Sequence, residues 1–187
     1  MRRRSALALV VAGVILPSAL ASLAAADTTV PAASSAPACA SPGAIECPTY
    51  DHYVNHKYGF AVDLPTFFVK KAGDADGRGQ PFEYGTKARV RAWAMFDNPP
   101  MTVGQLYADW TRRDNVTFKA LAGNTWVVRG KDGGRFYYSR SILADGIICT
   151  VEIAYDRDLA DLFEPILARS GPSLMPLPGE GIRGKTH

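Results

Sequence analysis

Apolar and polar positions alternate through the middle of the chain with the two-residue period of strands buried on one face. The segment Tyr58-Gly59-Phe60-Ala61-Val62-Asp63-Leu64 alternates in this way and stops at Pro65. Over residues 87–96 the pattern sets Val90, Ala92, Ala94 and Phe96 on one face and Arg89, Arg91, Trp93 and Met95 on the other. Three further strand-like runs, 124–129, 135–143 and 147–155, are separated by Asp132-Gly133-Gly134 and by Asp145-Gly146. An Asp-Gly pair between alternating runs is a strong hairpin signal, because tight hairpin turns need residues that tolerate positive φ. The spacing predicts an antiparallel meander of three strands, with residues 115–120 as a fourth strand beside it.

Two segments switch to helical periodicity. Thr102-Val103-Gly104-Gln105 has capping-box spacing, a hydroxyl at the N-cap and a Gln three residues on. Val103, Leu106, Tyr107 and Trp110 then share a helical face, and Arg112 and Arg113 fall at its C-terminal end, where the helix dipole favours cations. A second helix is predicted over 158–170 from Leu159, Leu162, Phe163, Ile166 and Leu167, with a break near Glu164 because Pro165 suits a first helical turn. Gly171 and Pro172 are expected to stop it. Strands grouped around two helices define an α+β domain, an antiparallel β-sheet flanked by two helices.

The two ends differ from this body. The chain opens Met1-Arg2-Arg3-Arg4, continues with an apolar run over 6–16, and reaches Ala24-Ala25-Ala26 before Asp27. A cationic start, a short apolar stretch and a small-residue site form the pattern of a secretory signal peptide. Residues 1–26 are read as that signal, with cleavage after Ala26; Ala19-Leu20-Ala21 is a second candidate site. The apolar run is shorter than the roughly 20 residues a spanning helix needs, which argues against an uncleaved anchor. The first cysteine, Cys39, lies too far past the apolar run for a lipoprotein signal. Residues 27–48 are rich in Ala, Pro, Ser and Thr and are read as a flexible leader, because they hold too little apolar surface to offset ordering entropy. A single domain is expected over 49–175 and a Pro- and Gly-rich tail over 176–187.

Charge changes the picture once the signal is set aside. The whole chain has 21 basic and 18 acidic residues, but the first 26 hold three arginines and no acid, so the remainder is neutral. A neutral domain has no global field for nucleic acid or anionic membrane, so neither is expected as a partner. Export implies an oxidising compartment, and Cys39 and Cys47 are candidates for a disulfide. Cys149, in the apolar run 147–153, reads as a buried strand cysteine, and a Cys47–Cys149 bridge stays open as the rival.

No catalytic or metal constellation emerges. His52 and His56 are four apart, which suits a metal on a helix, but in extended chain they lie roughly 13 Å apart. Asp74-Ala75-Asp76-Gly77 has the opening spacing of a calcium loop, yet Arg78 and Gly85 stand where further oxygen ligands belong. There is no Gly-x-Ser-x-Gly motif and no glycine-rich phosphate loop. No cofactor and no enzymatic activity are expected. The surface feature with most chemical content is Arg89, Arg91 and Trp93 on one strand face. With Arg129 or Arg140 it could form a cationic aromatic patch for an acidic partner; alternatively a helix covers Trp93 and the arginine stems while their heads reach water.

The motifs carry a family resemblance. Tyr58-Gly59-Phe60-Ala61-Val62-Asp63-Leu64-Pro65, the loop Asp76-Gly77-Arg78-Gly79 followed by Phe82, Asn124-Thr125-Trp126, Arg135-Phe136-Tyr137-Tyr138 and the run 155–170 resemble, in order, small exported bacterial domains with the PsbP-like α/β/α sandwich. That fold is shared by a photosystem II extrinsic subunit and a Ran-binding nuclear import factor. The resemblance implies a non-enzymatic accessory or protein-interaction role in the periplasm or outside the cell, with another envelope or secreted protein as partner. A small-ligand binder with an apolar pocket near Trp93, Trp110 or Trp126 is the alternative, and an unrecognised hydrolase is a third reading.

The signal reading makes a direct prediction. Intact-mass analysis of the protein from its native envelope fraction should give a chain beginning at Asp27; recovery of the chain from Met1 in the cytosol would overturn it.

Overall fold

The computed structural model describes residues 45, 47–113, 115–177 and 179. Strands β1 (Tyr50–Asn55) and β2 (Phe60–Pro65) form an antiparallel hairpin. Asn55 closes its turn: its side-chain carbonyl accepts from the Tyr58 N–H and its backbone carbonyl from Gly59, which adopts φ +65°. The other edge of β2 takes β10 (Met175–Pro176), giving a three-stranded sheet.

The large sheet has seven antiparallel strands in the order β3-β4-β5-β9-β8-β7-β6. These are β3 (Val69–Lys70), β4 (Gly79–Tyr84), β5 (Ala88–Phe96), β6 (Val116–Ala122), β7 (Thr125–Asp132), β8 (Arg135–Ala144) and β9 (Ile147–Asp156). The meander expected from the sequence is β7-β8-β9, with β6 beside it. The β8–β9 turn has φ +49° at Asp145 and +73° at Gly146, the positive pair that a tight hairpin demands. β5 pairs with β9 from Ala88↔Tyr155 to Phe96↔Ile147.

Each face of this sheet carries one helix. Helix α1 (Val103–Trp110) starts at Thr102, whose hydroxyl accepts from the Gln105 N–H at 3.2 Å while the Gln105 side chain accepts from the Thr102 N–H at 2.8 Å. Both halves of the predicted capping box are therefore present. Leu106 packs with Trp126, Val128, Tyr137, Ile148 and Ala154. The opposite face, with Val90, Val151, Ile153 and Tyr155, packs against β2 and helix α2 (Ala160–Ser173) to form the main core.

Several expectations need correction. Helix α2 does not break near Glu164 or stop at Gly171; it runs through both Pro165 and Pro172. Each proline costs about 3 kcal/mol in a helix interior. Phe163, Ile166 and Leu167 are fully buried against the sheet, and at about 1.5–3 kcal/mol each their burial is of comparable size. Tertiary packing thus overrides local propensity. Arg112 and Arg113 lie beyond the last turn of α1 and act through side chains, Arg112 on Asp109 and Arg113 on Glu152. Pro176 and Leu177, read as the start of the tail, are tied to β2 and to the Gly59 carbonyl. Ile45, read as leader, packs on the main core. The signal segment, its cleavage after Ala26 and most of the leader lie outside the described residues. Strands β1, β3 and β4 carry too few alternating apolar positions to stand out from the sequence.

Tyr137 and Tyr138 are consecutive on β8, so their rings leave opposite faces of the sheet, and each closes over a glycine. A Cβ at Gly130 would lie 2.3 Å from the Tyr137 hydroxyl, and one at Gly171 would lie 2.0 Å from the Tyr138 hydroxyl. An alanine inside a helix normally gains up to about 1 kcal/mol over glycine. At Gly171 the overlap reverses the sign. Gly171→Ala should cost about 1–3 kcal/mol in urea unfolding, and Tyr138→Phe in the same chain should recover part of that loss; a stabilised Gly171→Ala would contradict the packing.

Burial raises the phenol pKa of Tyr138, Tyr155, Tyr53, Tyr50 and Tyr137 above 10.0. Their unfolded forms ionise first. The stability they contribute is complete below about pH 10 and is lost as pH rises through the higher folded values. Melting temperature followed from pH 8 to 11 should therefore stay level and then fall above about pH 10.

Candidate functional site

Alternation in β5 sets Arg89, Arg91 and Trp93 on the face that carries α1, as the sequence implies. Trp93 stacks on Trp110 of α1, with ring centroids 5.7 Å apart and planes at 20°. Arg91 lies 5.6 Å over the Trp93 ring and bonds Asp74 at 2.9 Å. The three residues do not join Arg129 or Arg140. Register puts those two on the opposite face: Arg129 meets Glu164 of α2 at 3.2 Å and lies over Tyr138 at 5.5 Å, and Arg140 neighbours Tyr138. Trp93 is thus covered by α1, and the four arginines are divided between the two faces of the sheet. Trp110 also meets Trp126 edge-on at 6.0 Å, so the three tryptophans fill the space beneath α1.

Arg89 instead faces a cavity of about 330 Å³ at the end of the sheet beyond α1. Its floor is Tyr137 and Ala154, which are register partners on β8 and β9. Arg113 enters from the loop after α1, bonds Glu152 at 3.0 Å, and lies 5.1 Å over Trp110 and 6.0 Å over Tyr137. Arg135 enters from β8 and is held by Asp156 at 2.9 Å and by the Thr86 carbonyl. Lys131, at the end of β7, shares the face of Arg129 and lies 5.5 Å over Phe136, so it borders the cavity from around the end of the sheet. Four cations thus line the cavity, against the carboxylates of Asp132 and Glu152. The sequence reading singled out only Arg89 of these for a binding role. The others converge through strand register, which no single segment displays.

The second exposed feature is strand β6, at one edge of the large sheet. Six of its seven residues are exposed, Phe118 at 51% and Leu121 at 43%. Among the described residues no strand pairs with its outer side. Lys119 is its one charged side chain. Alternation in 115–120 located the strand, but exposure on both faces and a free outer edge depend on what fails to pack there.

The remaining sequence candidates take structural roles. His52 on β1 meets Asp63, its register partner on β2, with Nδ1 at 2.8 Å from Oδ1. Asp76 caps its own turn by accepting from the Arg78 N–H at 3.1 Å, and the Arg78 side chain reaches it at 2.6 Å. The Arg78 N–H, first among these contacts, holds the Asp76 carboxyl below its ordinary range. Cys149 is buried in β9. Cys47 is disulfide-bonded. Cys39, and with it the proposed Cys39–Cys47 pairing, lies outside the described residues. Among the described residues no three metal-ligating side chains cluster, and no helix is long and apolar enough to cross a membrane.

No protein-family model matches the chain, and no curated protein matches it. Among solved structures, the fold is similar to the solution structure of cyanobacterial PsbP (CyanoP) from Synechocystis sp. PCC 6803. The TM-score is 0.52, with 69% of this chain and 93% of that chain covered at 10% identity. The chain has a PsbP-like fold, as the motif resemblance implied. At that identity the likeness fixes architecture alone, and chemistry must be argued from the residues.

Proposed function

We propose that this chain is an exported accessory domain that binds another protein in the periplasm or outside the cell and has no catalytic activity of its own. The observation that carries the reading is the β6 edge. A seven-residue edge strand with exposed Phe118 and Leu121 offers unpaired backbone N–H and C=O groups beside apolar side chains. Proteins ordinarily protect such edges with short strands, prolines, bulges or charge; β3, the opposite edge, is only two residues long, whereas β6 carries one lysine and a bulge between Val116 and Phe118, after which Phe118–Ala122 pairs regularly with β7. An extended partner segment can add to β6 as a further strand, main chain supplying affinity and the two apolar side chains supplying selectivity. Export is supported by the arginine-led apolar start of the chain, and an accessory role by the PsbP-like fold.

A photo-crosslinking amino acid at position 121 should yield a defined adduct in the native envelope, whereas the same group at position 87, across the domain, should not. The double variant Phe118→Lys/Leu121→Lys should remove that partner from crosslinks made at position 116 while leaving the melting temperature within about 3 °C, since surface changes cost at most about 0.5 kcal/mol. Equal adducts at 87 and 121, or a partner indifferent to the double variant, would defeat the reading.

A further inference from the structure

We infer that the cavity beyond α1 binds a small, multiply charged oxyanion ligand, one that presents carboxylate or phosphate groups to Arg89, Arg113, Lys131 and Arg135. The inference is independent of β6 and of the partner proposed for it.

Gathering four cations at one end of a small domain is unfavourable unless something offsets their repulsion. Local carboxylates do so in part. Glu152 is engaged by Arg113 at 3.0 Å, and Asp156, from outside the cavity, by Arg135 at 2.9 Å. These pairs also hold the two guanidinium groups in place. An arginine has five N–H donors in a rigid fork. Arg113 commits Nη1 to Glu152, and Arg135 commits Nε to Asp156 and Nη2 to the Thr86 carbonyl. Each keeps donors for a further acceptor, already oriented. Arg89 and Lys131 form no ion pair among the described residues, so their charges are available. Asp132 is the one lining carboxylate with no ion pair among the described residues. It stands opposite Arg135 in register and leaves the lining positive on balance.

The floor supports the same reading. Tyr137 and Ala154 give an apolar, low-dielectric base, against which the field of the surrounding cations is stronger than on an open surface. Burial raises the Tyr137 phenol, so it adds no negative charge at neutral pH. The volume, about 330 Å³, is at the small end of ligand cavities and suits a compact polyanion rather than a chain. Planar arginine forks match carboxylate and phosphate oxygens in pairs, and cations entering from β5, β7, β8 and the loop after α1 favour a ligand with more than one anionic group.

The test is isothermal titration of the full chain with inorganic phosphate in one arm and citrate in the other, at low ionic strength. The inference expects saturable 1:1 binding of at least one probe, and the preferred arm identifies the ligand chemistry. Arg89→Gln/Lys131→Gln should weaken that binding roughly tenfold or more, as expected for loss of charged hydrogen bonds. Both side chains lack ion pairs, so circular dichroism and melting temperature should match the unaltered chain. Lys57→Gln, in the β1–β2 turn where its ammonium bonds the Asp76 carbonyl and away from the cavity lining, should bind as before. Absence of saturable binding in both arms, or equal affinity in the chain altered at 89 and 131, would overturn the inference.

Discussion

Strand β9 has almost no face or edge left for water. β5 and β8 pair along its two sides, the main core covers one face and the α1 cluster lies against the other. Eight of its ten residues are buried; the half-exposed two are Glu152 and Asp156, the acids that engage Arg113 and Arg135. The strand that organises both cores therefore also sets the anchors of the cationic cavity. Moving it would shift the hydrophobic packing and the charge geometry together. This explains how a polar cavity can keep defined geometry in a small domain: its side chains lie at the surface, but two are tied to the most buried strand.

The faces of the large sheet have different tasks. One seals against β2 and α2, where aliphatic and aromatic burial outweighs two helix-interior prolines. The other is only partly covered, because α1 has eight residues. Its stacked tryptophans complete the cover over the middle of the sheet, and beyond its last turn the cavity opens. The exposed edge of β6 lies past the reach of both helices. Short α1 thus leaves two distinct surfaces on one scaffold, one charged and concave, the other extended and rich in free backbone groups.

Much of this was legible because it rests on local rules. Asp145-Gly146 announced the β8–β9 hairpin, Thr102 and Gln105 announced the start of α1, and alternation in 87–96 separated Arg89, Arg91 and Trp93 from the core face. What escaped depends on contacts between distant segments. Pro165 is a helix breaker by propensity and becomes tolerable only once Phe163 and Ile166 meet the sheet. Arg113 reads as a helix-end cation until Glu152, thirty-nine residues away, is brought to it. Arg129 and Arg140 looked like natural companions of Arg89, but face assignment across a sheet needs the register of every intervening strand.

The consecutive tyrosines on β8 have a consequence for how this sheet finds its pairing. Sliding β8 by a single residue against β7 would exchange the two ring directions, driving one phenol away from Gly130 and the other away from Gly171. Each glycine is a notch on one side of the layer, and the pair of rings works as a two-sided key that fits in one setting only. Alignment of β7, β8 and α2 is thereby encoded in adjacent side chains, and misaligned states are rejected on both surfaces at once.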